Sequence, residues 1–349
     1  MPACSRLSTA SLGLVLLSAC PAEIREEQQT DTASATSGAS GAPTTADPGG
    51  PGGETDAAED TGSSGDPGDE GGLILDVGAP DSGGPKGTGD GSGLGCEYID
   101  VLFVVDISAS MMEERQNLAA NFPGFVSVLD DYVAEAGALG YRVGVTNSSV
   151  NAVYGGCETT MGLDGALISW SGDIFNPGDC GTGGTPWLDG PAAGLSENFS
   201  CLANNPIPMG GGSDCGAERP LGVMERFVGE AEGANAGFYR GESSLLVVVN
   251  LTDEDEDQEF TDTTPAQTKA VLDAFAGGEE RYVAVTIAGP QACESAFGEA
   301  NEAVVLKQFT DLVPNGYFGN ICEGDLASSL EAALDLIQSS CDSLPPPEG

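Results

Sequence analysis

Four stretches of this chain are apolar and rich in β-branched residues without alternation: Tyr98-Ile99-Asp100-Val101-Leu102-Phe103-Val104-Val105-Asp106, Tyr141 to Thr146, Leu245 to Leu251 and Tyr282 to Ile287. Runs of this kind predict strands buried on both faces. Between and after them, apolar residues recur at helical spacing over about Met112 to Glu135, with an interruption at Pro123, then Arg219 to Glu232, Pro265 to Phe275, Ala300 to Leu312 and Leu326 to Ser339. Strand and helix in alternation predict an α/β fold, a doubly wound and mostly parallel sheet. Gly165 to Trp170 follows the second strand with no helix between, so it is expected to form one antiparallel edge strand. The stretch of about 171–216 is rich in Gly, Pro and Asn, has little periodicity and holds Cys180, Cys201 and Cys215. It is expected as a disulfide-rich insertion, because long irregular loops in compact domains are usually functional or stapled.

The amino-terminal part reads differently. Leu7 to Ala19 is apolar or small and follows the single basic Arg6, the layout of a secretory signal too short to span about 30 Å of hydrocarbon. Leu17-Ser18-Ala19-Cys20 resembles the lipobox of bacterial lipoproteins, which implies cleavage after residue 19 and lipid attachment at Cys20. Pro21, rather than an aspartate that would retain the protein in the inner membrane, favours the outer membrane. Residues 20–95 are expected to be a disordered acidic tether: from Pro21 to Gly95 there is no Phe, Trp or Tyr, and fifteen acids face two bases, Arg25 and Lys86. A neutral flexible chain of that length spans about 50 Å and a stretched one about 250 Å. Within it, Leu73-Ile74-Leu75-Asp76-Val77 is the one short apolar patch, read as an exposed turn before a docking strand.

Charge and composition then narrow the chemistry. The net charge is −44, with eleven Lys and Arg against fifty-five Asp and Glu, so nucleic acid and anionic membrane surfaces are poor partners. The chain has no histidine, which removes the usual general base, the commonest zinc ligand and every Ser-His or Cys-His pair. Of ten cysteines, Cys4 leaves with the signal and Cys20 takes lipid. The remaining eight, Cys96, Cys157, Cys180, Cys201, Cys215, Cys293, Cys322 and Cys341, are expected as four disulfides in an exported protein. Cys96 to Cys341 and Cys293 to Cys322 are the expected outer pairs, with the central four paired among themselves. Without a C-x-x-C pair or a histidine, a zinc site is disfavoured.

Asp106-Ile107-Ser108-Ala109-Ser110 stands directly after the first strand and before a helix, where doubly wound sheets bind ligands. An extended turn can aim alternate residues at one point, and one carboxylate with two hydroxyls suits a hard ion such as Mg²⁺. Here the chain resembles the von Willebrand factor type A domain, whose metal-ion-dependent adhesion site opens with D-x-S-x-S; the likeness is to the secreted type found in myxobacterial lipoproteins. It covers nearly all of Cys96 to Cys341, within a domain expected over residues 96–349. The resemblance implies a second element in Leu251-Thr252-Asp253-Glu254-Asp255 and a third, a threonine, in a Gly-rich loop before a helix. Gly210-Gly211-Gly212-Ser213-Asp214-Cys215-Gly216 fills that place, with Ser213 as the hydroxyl and Thr185 as a distant second candidate.

The resemblance thus implies that Asp106, Ser108, Ser110, Ser213 and Asp253 hold one divalent ion, Mg²⁺ or else Mn²⁺ or Ca²⁺, directly or through water, with an acidic residue of the partner completing the shell. The run Asp253-Glu254-Asp255-Glu256-Asp257-Gln258-Glu259 is not a calcium loop, since Gln258 stands at the turn glycine and Thr264 at the closing glutamate; Asp255, Asp257 and Glu259 are expected as a solvated acidic rim. No G-x-S-x-G, G-x-G-x-x-G, P-loop or H-E-x-x-H pattern occurs. The expected function is therefore not enzymatic: a lipid-anchored extracytoplasmic protein that binds a protein or polysaccharide partner through a metal adhesion site. A metal-independent envelope scaffold and, behind it, a carboxylate-based hydrolase are the alternatives.

Overall fold

A computed structural model describes residues 95–345 except 171–177, 205, 208–211, 214, 261–262, 296–297 and 325. The signal, Cys20, the tether and its patch at 73–77 lie outside the described residues. In chain order the elements are β1 (Tyr98–Val105), α1 (Met112–Ala136), β2 (Gly140–Asn147), β3 (Ala152–Tyr154), β4 (Cys157–Thr159), β5 (Leu188–Gly190), α2 (Leu195–Asn204), α3 (Pro220–Gly229), β6 (Ser244–Leu251), α4 (Pro265–Ala276), β7 (Tyr282–Ala288), β8 (Cys293–Ser295), β9 (Gly298–Ala300), α5 (Val304–Leu312), β10 (Gly316–Asn320) and α6 (Ala327–Ser343).

The main sheet runs β10-β7-β6-β1-β2-β5, and every pairing is parallel except β2 with β5. β1 shows why the strands read as unbroken apolar runs. Its Ile99, Val101, Phe103 and Val105 face a core shared with Leu118, Phe122, Phe125 and Leu129 of α1, Phe199 and Leu202 of α2 and Leu330 and Ile337 of α6. Its Leu102 and Val104 face a second core with Leu221, Met224 and Phe227 of α3, Leu272 of α4 and Leu306 and Phe309 of α5. The chain is thus a doubly wound α/β protein with one antiparallel edge strand, an architecture that fits a von Willebrand factor A-like fold.

The edge strand is not where the pattern placed it. Gly165 to Trp170 forms no strand: Asp164 and Gly165 both take positive φ, 52° and 77°, and Gly165 is pressed against the backbone of Arg226 and Phe227. The segment keeps a hydrogen bond to β2, from Ile168 N to Val145 O at 3.1 Å, and Trp170 pairs with Asp179 in an isolated bridge. β5, three residues inside the insertion, takes the edge instead. The insertion also contains α2, whose Phe199 ring stacks on Phe122 and meets Phe103 edge-on. Pro123 does not interrupt α1, which runs 25 residues through it.

Four disulfides close the fold: Cys96–Cys341, Cys293–Cys322, Cys157–Cys215 and Cys180–Cys201. The first joins the start of β1 to α6 across 245 residues. Disulfides of this kind contribute about 2 to 4 kcal/mol each, which here offsets part of the repulsion among forty acids and eight bases in residues 96–349. Among the described residues no helix is long and apolar enough to cross a membrane.

Candidate metal centre

β1 leads to β2 on one side of the sheet, while β6 lies on its other side, so strand order reverses between β1 and β6. Ligands of doubly wound sheets bind at the carboxyl ends of strands at that place. Asp106 leaves β1 there, its N–H donating to Leu251 O at 3.0 Å, and Thr252 and Asp253 leave β6 beside it.

The loop after β1 is tightly specified. Asp106 Oδ1 accepts from Ser108 N at 2.7 Å, and Asp106 Oδ2 accepts from the Thr252 hydroxyl at 2.8 Å. Ser108 Oγ and Ser110 Oγ are 2.9 Å apart. The Arg115 guanidinium, on the first turn of α1, donates from one nitrogen to the carbonyls of Asp106 at 2.9 Å and Ser108 at 3.0 Å. This ties the turn to the start of α1. The Asp253 carboxyl lies within hydrogen-bonding reach of Ser110 and of the Asp106 carboxyl. Of the five residues singled out by sequence, Asp106, Ser108, Ser110 and Asp253 therefore converge.

Ser213 is not part of that hydrogen-bonded set. Its hydroxyl donates to Glu158 O, its N–H donates to Thr160 Oγ1 at 2.9 Å, and its carbonyl accepts from Thr160 N at 2.8 Å, all beside β4. The Cys157–Cys215 bond fixes this loop on the β3–β4 pair. Thr185 donates within its own turn, to Thr182 O or Trp187 O.

The electrostatics of the converging groups are under-compensated. Arg115 feels four carboxyl groups, Asp106, Glu114, Asp253 and Glu218. All four acids are buried, between 0% and 4% exposed. Burial raises the Asp106 carboxyl, against hydrogen bonds from Ser108 and Thr252 that lower it. Burial, then the Asp106 charge, pushes Asp253 from 3.8 up to about 6. Glu114 is pushed from 4.5 to about 7, by burial first and then by Asp253 and Glu113.

Glu114 and Glu218 are the residues that sequence reasoning missed. Glu218 stands two residues before α3, accepts from the Ser148 hydroxyl, and its carbonyl accepts from Asp257 N at 2.8 Å. Glu114 sits four residues after Ser110 on α1 and packs under Gly298, where any Cβ would collide with its Oε1 and φ is +128°. The spacing from Ser110 was visible; the burial that makes either acid matter was not.

The expected rim is also corrected. Asp255 accepts from Val305 N at 2.9 Å and Leu306 N at 3.0 Å, so it satisfies the open amides at the start of α5. Glu256 Oε2 accepts from Leu221 N at 2.7 Å at the start of α3. Asp257 accepts from Glu259 N at 3.0 Å, which leaves Glu259 as the exposed end of the run.

The residues present fit a hard divalent ion. Two buried carboxyls within hydrogen-bonding reach of each other must share a proton or a cation, since both cannot be ionised cheaply side by side. Asp253 Oδ1 is buried and, among the described residues, without a hydrogen-bond partner. Among the described residues no group of three or more Asp, Glu, Cys or His is placed to hold a metal ion, so the donors would be two carboxylates and two hydroxyls with water at the other positions, an oxygen set of the kind Mg²⁺ takes.

No family model matches the chain, and no curated protein matches it. Its fold is similar to proximal thread matrix protein 1 from the mussel byssus, at 15% identity and a TM-score of 0.38 over 70% of this chain and 49% of that one. It is also similar to the open conformation of the pilus adhesin SpaC from Lactobacillus rhamnosus GG, at 12% identity and a TM-score of 0.35 over 69% of this chain and 30% of that one. The chain thus spans half or less of the length of either structure.

Proposed function

We propose that this protein is a lipid-anchored, extracytoplasmic binding module that holds one divalent ion at Asp106, Ser108, Ser110 and Asp253 and uses it to engage a partner. The observation that carries the reading is the convergence of those four side chains at the reversal point of the sheet, around two carboxyls that lack a sufficient counter-charge. Asp106 and Asp253 would supply the charge, and the two serines neutral oxygens. The bound ion would supply a positive centre for an oxygen of the partner. Thr252 and Arg115 position the Asp106 carboxylate and the turn that follows it. The lipobox at Cys20 and the acidic tether support attachment to the outer membrane with the domain held away from it.

Calorimetric titration of Mg²⁺, Mn²⁺ and Ca²⁺ into the mature protein tests the site, with Asp106→Ala for comparison. Saturable heat in the wild type and none in the variant is expected; identical featureless traces would overturn the reading. The place of Ser213 outside the converging set favours one competing view, a scaffold that binds without metal. Partner capture that survives a chelator would support that view.

A further inference from the structure

We propose a second binding site that does not depend on the metal reading: a cavity between the ends of α3 and α4 that takes a small quaternary ammonium cation such as choline. The rings of Phe227, Tyr239 and Phe275 line it together with Glu232 and Asn235, and its other lining residues are alanine and glycine. Its volume is about 260 Å³, below the range of about 300 to 1,000 Å³ that drug-sized ligands occupy, so a compact head group fits it. Tyr239 comes shortly before β6 in the chain, which puts the cavity at the amino ends of the strands, away from the carboxyl ends where Asp106 and Asp253 meet.

Three features favour a cation with an apolar surface. Phe227 and Phe275 meet at 84° with centroids 6.0 Å apart, and Tyr239 and Phe275 at 41° with centroids 5.0 Å apart, so the three rings form a corner rather than a flat wall. Ring faces carry negative charge density and attract cations, above all those with methyl groups to bury. The second feature is backbone. Phe227 and Phe275 stand in the last turns of α3 and α4, so two helix carboxyl termini, each with about half a negative charge, converge on the cavity. The third is side-chain charge: among the described residues that line the cavity, Glu232 is the one charged group. Arg281, which interacts with the Tyr239 hydroxyl, donates to Glu242 O and does not line it.

The polar groups select among cations. The Tyr239 hydroxyl is committed to Ser244 O or Ala276 O, so what Tyr239 offers is its ring. Asn235, 2% exposed, accepts from Leu167 N and donates to Gly165 O, both at 2.9 Å. Few acceptors are therefore left for a primary ammonium, which brings three donors, or for a metal ion, which takes oxygen ligands. A quaternary ammonium needs neither. The charge of −44 raises the concentration of any such cation near the molecule.

The test titrates choline, its neutral isostere 3,3-dimethylbutan-1-ol and glycerophosphocholine into the mature protein, followed by ligand-observed NMR. Saturable binding of choline, about tenfold tighter than that of the isostere, is expected, since the two differ in charge and hardly in shape. Phe275→Leu, which keeps an apolar side chain and removes a ring, should weaken choline about fivefold and leave the isostere unchanged. Glu232→Gln, at an exposed position, should weaken choline about threefold with an unaltered thermal melt, so the test does not hang on a variant that touches the core. No choline binding, equal binding of the isostere, or choline binding untouched by both variants would overturn the proposal. So would displacement of choline by Mg²⁺, which would place it at the metal centre, or tighter binding of glycerophosphocholine, which would make the ligand a lipid head group.

Discussion

Two fully buried aspartates mark the ends of β1, Asp100 near its start and Asp106 directly after its last residue, and the molecule treats them in opposite ways. Asp100 is neutralised within the fold: Arg240 reaches its Oδ1 with two guanidinium nitrogens at 2.9 and 2.6 Å, and Arg240 N and the Ser244 hydroxyl take its Oδ2 at 2.9 and 2.6 Å. The same guanidinium lies 3.9 Å from the Tyr98 ring centroid. Six residues on, Asp106 receives one amide and one hydroxyl, and its carboxyl lies within hydrogen-bonding reach of another carboxyl, Asp253. Arg115 is near but donates to backbone carbonyls. A buried charge satisfied inside the chain is part of the structure. One left short of counter-charge, at the ligand-binding end of a parallel sheet, is where a cation from outside belongs.

The contrast makes its largest prediction at the closed end. Arg240→Ala leaves Asp100 buried without its partner, so denaturant unfolding should show a loss of about 3 to 5 kcal/mol. Adding Mg²⁺ should not restore it. A loss below about 1 kcal/mol would mean that Asp100 is not held by that pair and would dissolve the contrast.

At the open end the sign reverses. Burial and Asp106 raise Asp253 from 3.8 to about 6 in the folded protein, so the folded state holds this proton more tightly than the unfolded chain does. The stability contributed is fully present below pH 3.8 and is lost as pH rises through about 6. Asp253→Asn removes that loss. In chelator at pH 8 the variant should therefore unfold with about 2 kcal/mol more stability than the wild type, and near pH 4 with none. Mg²⁺ should close the gap by stabilising only the wild type. Equal stability across the pH range in chelator would show that Asp253 is not under strain from its neighbour.

How much of this was legible depended on whether the determinant was local. Strands buried on both faces announce themselves as unbroken apolar runs, and β1, β2, β6 and β7 agree with the runs to within a residue or two. Asp106, Ser108 and Ser110 lie within one turn, and Asp253 directly follows a recognisable strand. What was illegible had short or glycine-rich sequence or depended on distant packing. β5 is three residues, β10 begins and nearly ends in glycine, and α2 hides Leu195, Phe199 and Leu202 at helical spacing within a Gly- and Cys-rich loop. Glu218 and Glu114 gain their meaning from burial against Arg115, which no spacing displays.

The smallest effect sharpens the comparison within a single loop. Asp255 stands two residues after Asp253, and both belong to a run of acids that looks uniform in sequence. Its carboxylate accepts from the first amides of α5, Val305 N and Leu306 N, where helix amides have no partners of their own and a negative charge is favoured. Asp255→Ala should cost about 1 kcal/mol of stability, in chelator as in Mg²⁺, with the Mg²⁺ heat unchanged. Hydrogen exchange should quicken at Val305 and Leu306 before it changes in β6. If Asp255→Ala instead abolished the Mg²⁺ heat and left those amides protected, the loop would belong to the ion as a whole, and the division between an acid committed to the fold and an acid held open for a cation would fail at its closest pair.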